Sequence, residues 1–136
     1  MNISYNPHPT PPCILVIDDA ATVRQFYRHL LQQAGYTVED AMNGIEALEK
    51  LALQKFDLCI VDVNMPVMDG HSFLERLRRS PQTSGLPALV TTTQDAPEDR
   101  QTALRAGATD YLVKPVAPET LLERVACALG DMSRAS

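Results

Sequence analysis

A doubly wound α/β fold with a five-stranded parallel sheet in the order 2-1-3-4-5 is predicted by three observations on this 136-residue chain. Short apolar runs alternate five times with amphipathic segments of helical period, the signature of β-α units. Helix caps and stops fall between these segments. The run at 56–61 is nearly all apolar, as a central strand covered on both faces must be. Right-handed crossovers with helices on both faces then leave 2-1-3-4-5 as the natural order, placing a ligand crevice beyond the carboxyl ends of the first and third strands.

Each element has its own warrant. Pro7, Pro9, Pro11 and Pro12 among polar residues predict a flexible tail over 1–12, a domain over 13–130 and a short tail at 131–136. The run 13–17 is the first strand. Val23, Phe26, Tyr27, Leu30, Leu31 and Ala34 recur at three- and four-residue steps, predicting a helix with a wide buried face that Gly35 ends. Residues 36–40 read as the second strand, and Asn43 with Glu46 as a capping box opening a helix to about 54. After the strand at 56–61, Asp69 caps a third helix with Phe73, Leu74 and Leu77 inward. The fourth strand starts at Pro87. Asp95 and Glu98 frame a fourth helix, with Pro97 in its first turn and Gly107 as its stop; weak apolar periodicity predicts that it is the most exposed. A fifth strand at 109–113 precedes a helix from Pro118 with Leu121, Leu122, Val125 and Leu129 inward, stopped by Gly130.

Composition narrows the function. Twelve Lys plus Arg against 17 Asp plus Glu give a formal charge of -5, which argues against direct nucleic-acid contact. No apolar run approaches the ~20 residues of a membrane span, and the amino terminus lacks a basic, then apolar, leader pattern, so a cytoplasmic protein is expected. Cys13, Cys59 and Cys127 have no metal-type spacing and read as ordinary thiols.

The chemistry gathers at strand ends. Asp18 and Asp19 follow the first run, Asp62 the third, Thr92 the fourth and Lys114 the fifth. Singly, each has a plain reading: Asp caps helices, and Lys before Pro is usually a solvated charge. Together they place three carboxylates, a hydroxyl and an ammonium on one edge. Two carboxylates ~4 Å apart repel by ~4 kcal/mol at an effective dielectric near 20, so one Lys does not balance three of them, and a divalent ion such as Mg2+ does. Asp62, between the acidic pair and Thr92 with Lys114, is the best-placed nucleophile for a covalent aspartyl phosphate.

The strings Leu15-Val-Ile-Asp-Asp19, Val61-Asp-Val-Asn-Met-Pro66 with Met68-Asp-Gly70, and Gly107-Ala-Thr-Asp-Tyr-Leu-Val-Lys-Pro115 resemble the receiver domain of bacterial two-component response regulators, with its flavodoxin-like (βα)5 fold. The resemblance covers about residues 13–130. It implies that Asp62 accepts phosphate from a phosphohistidine on a sensor histidine kinase or histidine phosphotransfer protein. Asp19 and Asp62 would ligate Mg2+ directly, Asn64 through its backbone carbonyl and Asp18 through water. Lys114 would contact the phosphoryl group, its position set by a cis bond to Pro115. Thr92 would move toward the phosphate and let Tyr111 swing inward, switching the face of the fourth helix, fifth strand and fifth helix toward a downstream protein. The chain would be a signalling switch that catalyses only its own phosphoryl transfer and dephosphorylation, as a monomer or a phosphorylation-dependent dimer. Kinase specificity would lie around Arg24, Gln25, Arg28, Gln32 and Val116.

Thr93 departs from the family's usual alanine and, on that resemblance, would crowd the phosphate, while Asn64 and Gln94 would hold the two variable tuning positions. Three alternatives stay open. The chain could be the amino-terminal receiver of a longer regulator. An aspartate-nucleophile phosphatase of the haloacid-dehalogenase kind would want an acid two residues after Asp18, where Ala20 stands. A flavodoxin would want a Ser/Thr/Gly-rich phosphate loop, where Asp18-Asp-Ala-Ala-Thr22 would repel phosphate.

Overall fold

The computed structural model describes residues 10–130; of the tails expected over 1–12 and 131–136, residues 1–9 and 131–136 lie outside them. Ten elements alternate strictly: β1 (Cys13–Ile17), α1 (Ala21–Gln33), β2 (Thr37–Ala41), α2 (Gly44–Leu53), β3 (Leu58–Asp62), α3 (Gly70–Arg79), β4 (Ala88–Thr92), α4 (Pro97–Ala106), β5 (Asp110–Val113) and α5 (Pro118–Leu129). The strands are all parallel and run in the order β2-β1-β3-β4-β5, as the sequence predicts.

Side-chain alternation splits the core into two layers. Leu15, Ile17, Cys59, Val61 and Val90 face Ala47 of α2, Phe73, Leu74 and Leu77 of α3, and Ala103 of α4. Ile14, Val16, Leu58, Ile60, Leu89 and Leu112 face Tyr27 and Leu31 of α1 and Leu121 and Val125 of α5. Every residue of β3 and β4 is buried, so the two strands that carry Asp62 and Thr92 are the most rigidly seated. Each fully buried Leu, Ile or Phe contributes roughly 1.5–3 kcal/mol.

Several local expectations change. Phe26 is 46% exposed, because Tyr27 and Leu31 alone turn fully to the sheet and the wide apolar stripe of α1 exceeds what the sheet edge covers. In α2 the Asn43 side chain accepts from the Glu46 N–H, but Glu46 Oε1 accepts in return from Met42 N, one residue before the cap. Asp95 does not cap α4. Ala96 is the N-cap and supplies no side-chain bond, while Asp95 lies 4.0 Å from Arg100. α4 buries only Ala103, in keeping with its weak periodicity. On α5, Leu121, Val125 and Ala126 are buried, whereas Leu122 and Leu129 are only partly covered.

One residue ties the amino edge of the sheet together without any sequence signal. The Arg78 guanidinium donates to the carbonyls of Gly107 (3.0 and 2.7 Å), Leu86 (2.7 Å), Thr83 (3.2 Å) and Ser84 (3.2 Å). Gly107 needs its glycine twice over. Its φ is 116°, and a Cβ there would stand 2.6 Å from Arg78 Cγ.

Candidate functional site

Parallel registry levels the strand ends. Ile17 pairs with Val61, Asp62 with Thr91 and Thr92 with Val113, so Asp18, Asp62, Thr92 and Lys114 stand along one carboxyl edge beside the point where strand order reverses. One carboxylate oxygen from each of Asp18, Asp19 and Asp62 lies within 4.8 Å of the others. Asp18 and Asp62 are buried; Asp19 is exposed.

Lys114 reaches into this cluster from β5. Its Nζ donates to Asp18 Oδ2 at 3.0 Å and lies 3.5 Å from Asp62 Oδ1. The Lys114–Pro115 bond is cis, and Lys114 N donates to Thr92 O at 2.7 Å, tying the two strand ends. Asp18 Oδ1 accepts from Ala20 N at 2.9 Å, and Asp62 Oδ1 from Asn64 N at 3.2 Å. The Asn64 side chain is exposed.

Burial pushes the Asp62 carboxyl above its ordinary range; the Asn64 N–H and the Lys114 charge oppose that rise and Asp18 adds to it. For Lys114, burial works downward, but the Asp18 hydrogen bond and charge, joined by Asp62, outweigh it and the ammonium is held more firmly. Three carboxylates and one ammonium leave a formal charge of -2 in a pocket of oxygen donors. A hard divalent cation with partial water coordination fits that donor set.

The loop after Asp62 is tightly drawn. Gly70 opens α3 where an added Cβ would stand 2.8 Å from the Asp62 carbonyl oxygen and from Val63 Cα, so only glycine lets the helix start this close to the acidic strand end. Just before it, Val67 is 79% exposed with φ 71°, a left-handed conformation that a β-branched residue adopts at a cost of order 1–3 kcal/mol. Met68 N donates to Pro66 O across it at 2.7 Å.

Thr92 and Tyr111 meet through one backbone segment. Thr92 Oγ1 accepts from Gln94 N at 3.0 Å, and the Tyr111 hydroxyl donates to Gln94 O at 2.5 Å. Tyr111 is buried, already on the inner side toward which the resemblance has it swing. The Arg100 guanidinium sits 4.9 Å from its ring centroid, and burial raises the phenol above its ordinary range. Thr93 is exposed and lines, with Thr22, Val23, Phe26, Lys114 and Pro115, a cavity of about 470 Å³ that reaches Lys114. A larger groove of about 580 Å³ lies at the opposite edge and holds none of these residues.

The α1 residues expected to set kinase specificity differ in exposure. Gln25 and Gln32 are exposed. Arg24 and Arg28 instead turn to β2: Arg24 Nε lies 3.1 Å from Asp40 Oδ2, and Arg28 Nη2 3.3 Å from Asp40 Oδ1. Arg24 Nη1 also donates to the Asp18 carbonyl at 2.6 Å. Sequence reasoning missed this link to the acidic pair, since Asp40 becomes a partner only once β2 is set beside β1.

Fold and site together define a doubly wound domain with an acidic cluster and a bridging lysine at its switch point. A family model described as the response regulator receiver domain matches residues 14–126, and the chain belongs to that family. It is 46% identical over 112 residues to the response regulator MprA of Mycobacterium ulcerans (strain Agy99), a match covering 82% of this chain and 47% of the relative. The chain thus spans about half the length of the curated relatives it matches. Among solved structures, chemotaxis response regulator CheY4 of Vibrio cholerae superposes with a TM-score of 0.85 at 45% identity, over 88% of this chain and all of the other. The receiver domain of a sensor histidine kinase from Pseudomonas aeruginosa PAO1, solved with magnesium coordinated in its active-site cleft, gives 0.82 at 27% identity over 89% of this chain and 99% of its own. Receiver domains are signalling modules that bind Mg2+ at this acidic pocket and work between histidine kinases and downstream targets. Among the described residues no helix is long and apolar enough to cross a membrane.

Proposed function

We propose that this chain is a phosphorylation-controlled switch whose acceptor is Asp62. The observation that carries the reading is the bridging ammonium of Lys114, 3.0 Å from Asp18 and 3.5 Å from Asp62, inside a cluster of three carboxylates. In the forward step an Asp62 carboxylate oxygen attacks the phosphorus of a phosphohistidine. The O–P bond forms as the N–P bond breaks, and the imidazole nitrogen keeps the electron pair. Water reverses the state by attacking the same phosphorus, releasing inorganic phosphate and the free carboxylate.

Asp19 and Asp62, the Asn64 carbonyl and, through water, Asp18 would hold Mg2+. When bound, Mg2+ supplies charge neutralisation and polarises the phosphoryl oxygens. Lys114 exchanges its carboxylate contact for a phosphoryl oxygen, a charged hydrogen bond worth roughly 1.5–3 kcal/mol. The Thr92 hydroxyl, now satisfied by Gln94 N, is the second donor within the edge. Its movement breaks the Thr92-Gln94-Tyr111 link, and α4 follows readily because it buries a single residue. The readout is a partner protein on the α4-β5-α5 face. The phosphodonor docks over α1 and the residues after β5, where Phe26, Val23, Pro115 and Val116 form an apolar rim beside Lys114. The same site serves a stand-alone regulator or the receiver portion of a longer one.

The direct test is stabilisation by a phosphoryl mimic. Mg2+ with beryllium fluoride is expected to raise the melting temperature, since a ligand at 100 times its dissociation constant adds ~2.7 kcal/mol. Asp62→Asn is expected to abolish both that shift and hydroxylamine-sensitive labelling by a small phosphodonor. Label retained at full yield in Asp62→Asn would assign the acceptor elsewhere.

A further inference from the structure

We infer that Arg24 is a positioning residue for the metal site: its guanidinium fixes the peptide joining Asp18 to Asp19 and so holds the Asp19 carboxylate within the acidic cluster. This rests on the reading of that cluster as the Mg2+ site.

The three carboxylates are not equally secured. Asp18 is fastened through Ala20 N, Lys114 Nζ and its own N–H to Ala41 O. Asp62 is fastened by Asn64 N and approached by Lys114. Asp19 is exposed, and its carboxylate has no hydrogen-bond donor or ion-pair partner among the described residues. What brings an Asp19 oxygen within 4.8 Å of the other two is therefore the backbone that carries it.

That backbone is held on both sides of Asp19: after it, Ala20 N donates to Asp18 Oδ1 at 2.9 Å, and before it the grip comes from α1. The carbonyl of the Asp18–Asp19 peptide accepts from Arg24 Nη1 at 2.6 Å, and rotation of this peptide would redirect Asp19 Cα and its side chain. The other arm of the guanidinium is braced, with Nε 3.1 Å from Asp40 Oδ2 on β2. Asp40 is itself held by Arg28 at 3.3 Å. A planar fork with two fixed donors can span a carbonyl and a carboxylate at once, which a single ammonium does far less well. The Arg24 side chain is only 15% exposed, so water competes weakly for these bonds.

Arg28 supplies an internal control. It leaves the same helix one turn later, shares Asp40 and bonds a β2 carbonyl, that of Val38 at 2.8 Å, but has no contact with the acidic pair. If Arg24 only ties α1 to the sheet, the two arginines are interchangeable in their effect on metal binding. If its charge dominated, it would repel the cation, and removing it would tighten binding.

The test is calorimetric titration of the full chain with MgCl2 alone, paired with melting of the metal-free protein. Arg24→Met is expected to weaken Mg2+ binding about tenfold, the lower end for residues that orient metal ligands. Arg28→Met is expected to leave Mg2+ affinity within about twofold while lowering the melting temperature comparably. Arg24→Lys keeps the charge and a helix-favouring stem; it too is expected to bind Mg2+ more weakly, and it decides the matter if Arg24→Met does not fold. Unchanged or tighter binding in the Arg24 variants, or equal weakening in Arg28→Met, overturns the inference. Absence of Mg2+ binding in the unmodified chain, or full binding in Asp19→Asn, brings down the metal-site reading itself, a pattern distinct from failure of the Arg24 variants alone.

Discussion

The two edges of the sheet each hold a half-buried cation, and they solve opposite problems. At the amino edge Arg78 is surrounded by neutral carbonyl dipoles from the α3–β4 connection and the α4–β5 turn; among the described residues no carboxylate pairs with it. At the carboxyl edge Lys114 faces formal charges, and one ammonium serves more carboxylates than it can neutralise. The first arrangement is complete as it stands and stabilises the fold. The second carries more negative than positive charge, and a divalent cation is what would neutralise the surplus. Stability and function are thus separated by the length of the strands, and substitutions at the two edges should differ in sign.

The largest effect is expected from Arg78→Met. It strands several carbonyls, two of them close acceptors at 2.7 Å, and leaving such groups unpaired costs about 1–3 kcal/mol each when they stay dry. A net loss of about 3 kcal/mol is expected by urea denaturation, with phosphoryl acceptance unchanged below the melting temperature. Loss of acceptance in the still-folded variant would show that the two edges are coupled.

A smaller change of opposite sign is expected at the other edge. Asp62→Asn removes one buried charge from the metal-free cluster and should raise stability by about 1 kcal/mol, or a few degrees in melting temperature for a domain of this size. The pH dependence follows from the raised Asp62 carboxyl. Between the ordinary value of 3.8 and its higher folded value, the folded chain holds a proton that the unfolded chain has lost. Stability contributed by this group therefore falls as pH rises through that window and stays lost above it. Asp62→Asn should flatten this segment of the metal-free curve, and Mg2+ should restore stability at neutral pH only in the unsubstituted chain. A melting temperature lower than that of the unsubstituted protein would show that the carboxyl edge is not electrostatically strained.

What could be read from the sequence divides along the same line. The sheet order, both core layers and the strand-end placement of Asp18, Asp62, Thr92 and Lys114 were legible, because periodicity and one-dimensional spacing carry them. The hidden features depend on partners that have no sequence signature. Arg78 binds backbone carbonyls, which every residue possesses, so nothing marks it. Arg24 needs Asp40 on a strand that is adjacent in space but sixteen residues away. Phe26 fits the buried stripe of α1 by period yet remains exposed, since period says which face a residue occupies and not how far the neighbouring layer extends. Asp95 failed as a cap for a local reason: Ala96 takes the extended N-cap conformation directly before Pro97, with φ -75° and ψ 144°.

The finest distinction within the carboxyl edge concerns access to it. Thr93 follows the buried Thr92 but is itself exposed, on the rim of the cavity that reaches Lys114. Its β-branched side chain is stiff and adds bulk where alanine would leave the rim open. It donates nothing to Asp62 among the described residues, so its influence is steric and falls on approach and departure, leaving the stability of the charged cluster alone. Thr93→Ala is therefore expected to leave Mg2+ affinity unchanged while speeding phosphoryl loss about threefold, a barrier change of roughly 0.7 kcal/mol. Following label decay after removal of a small phosphodonor measures this directly. An unchanged decay rate would mean that water reaches the phosphoryl group by another side of the edge, and a slower one that the Thr93 hydroxyl helps to place the attacking water.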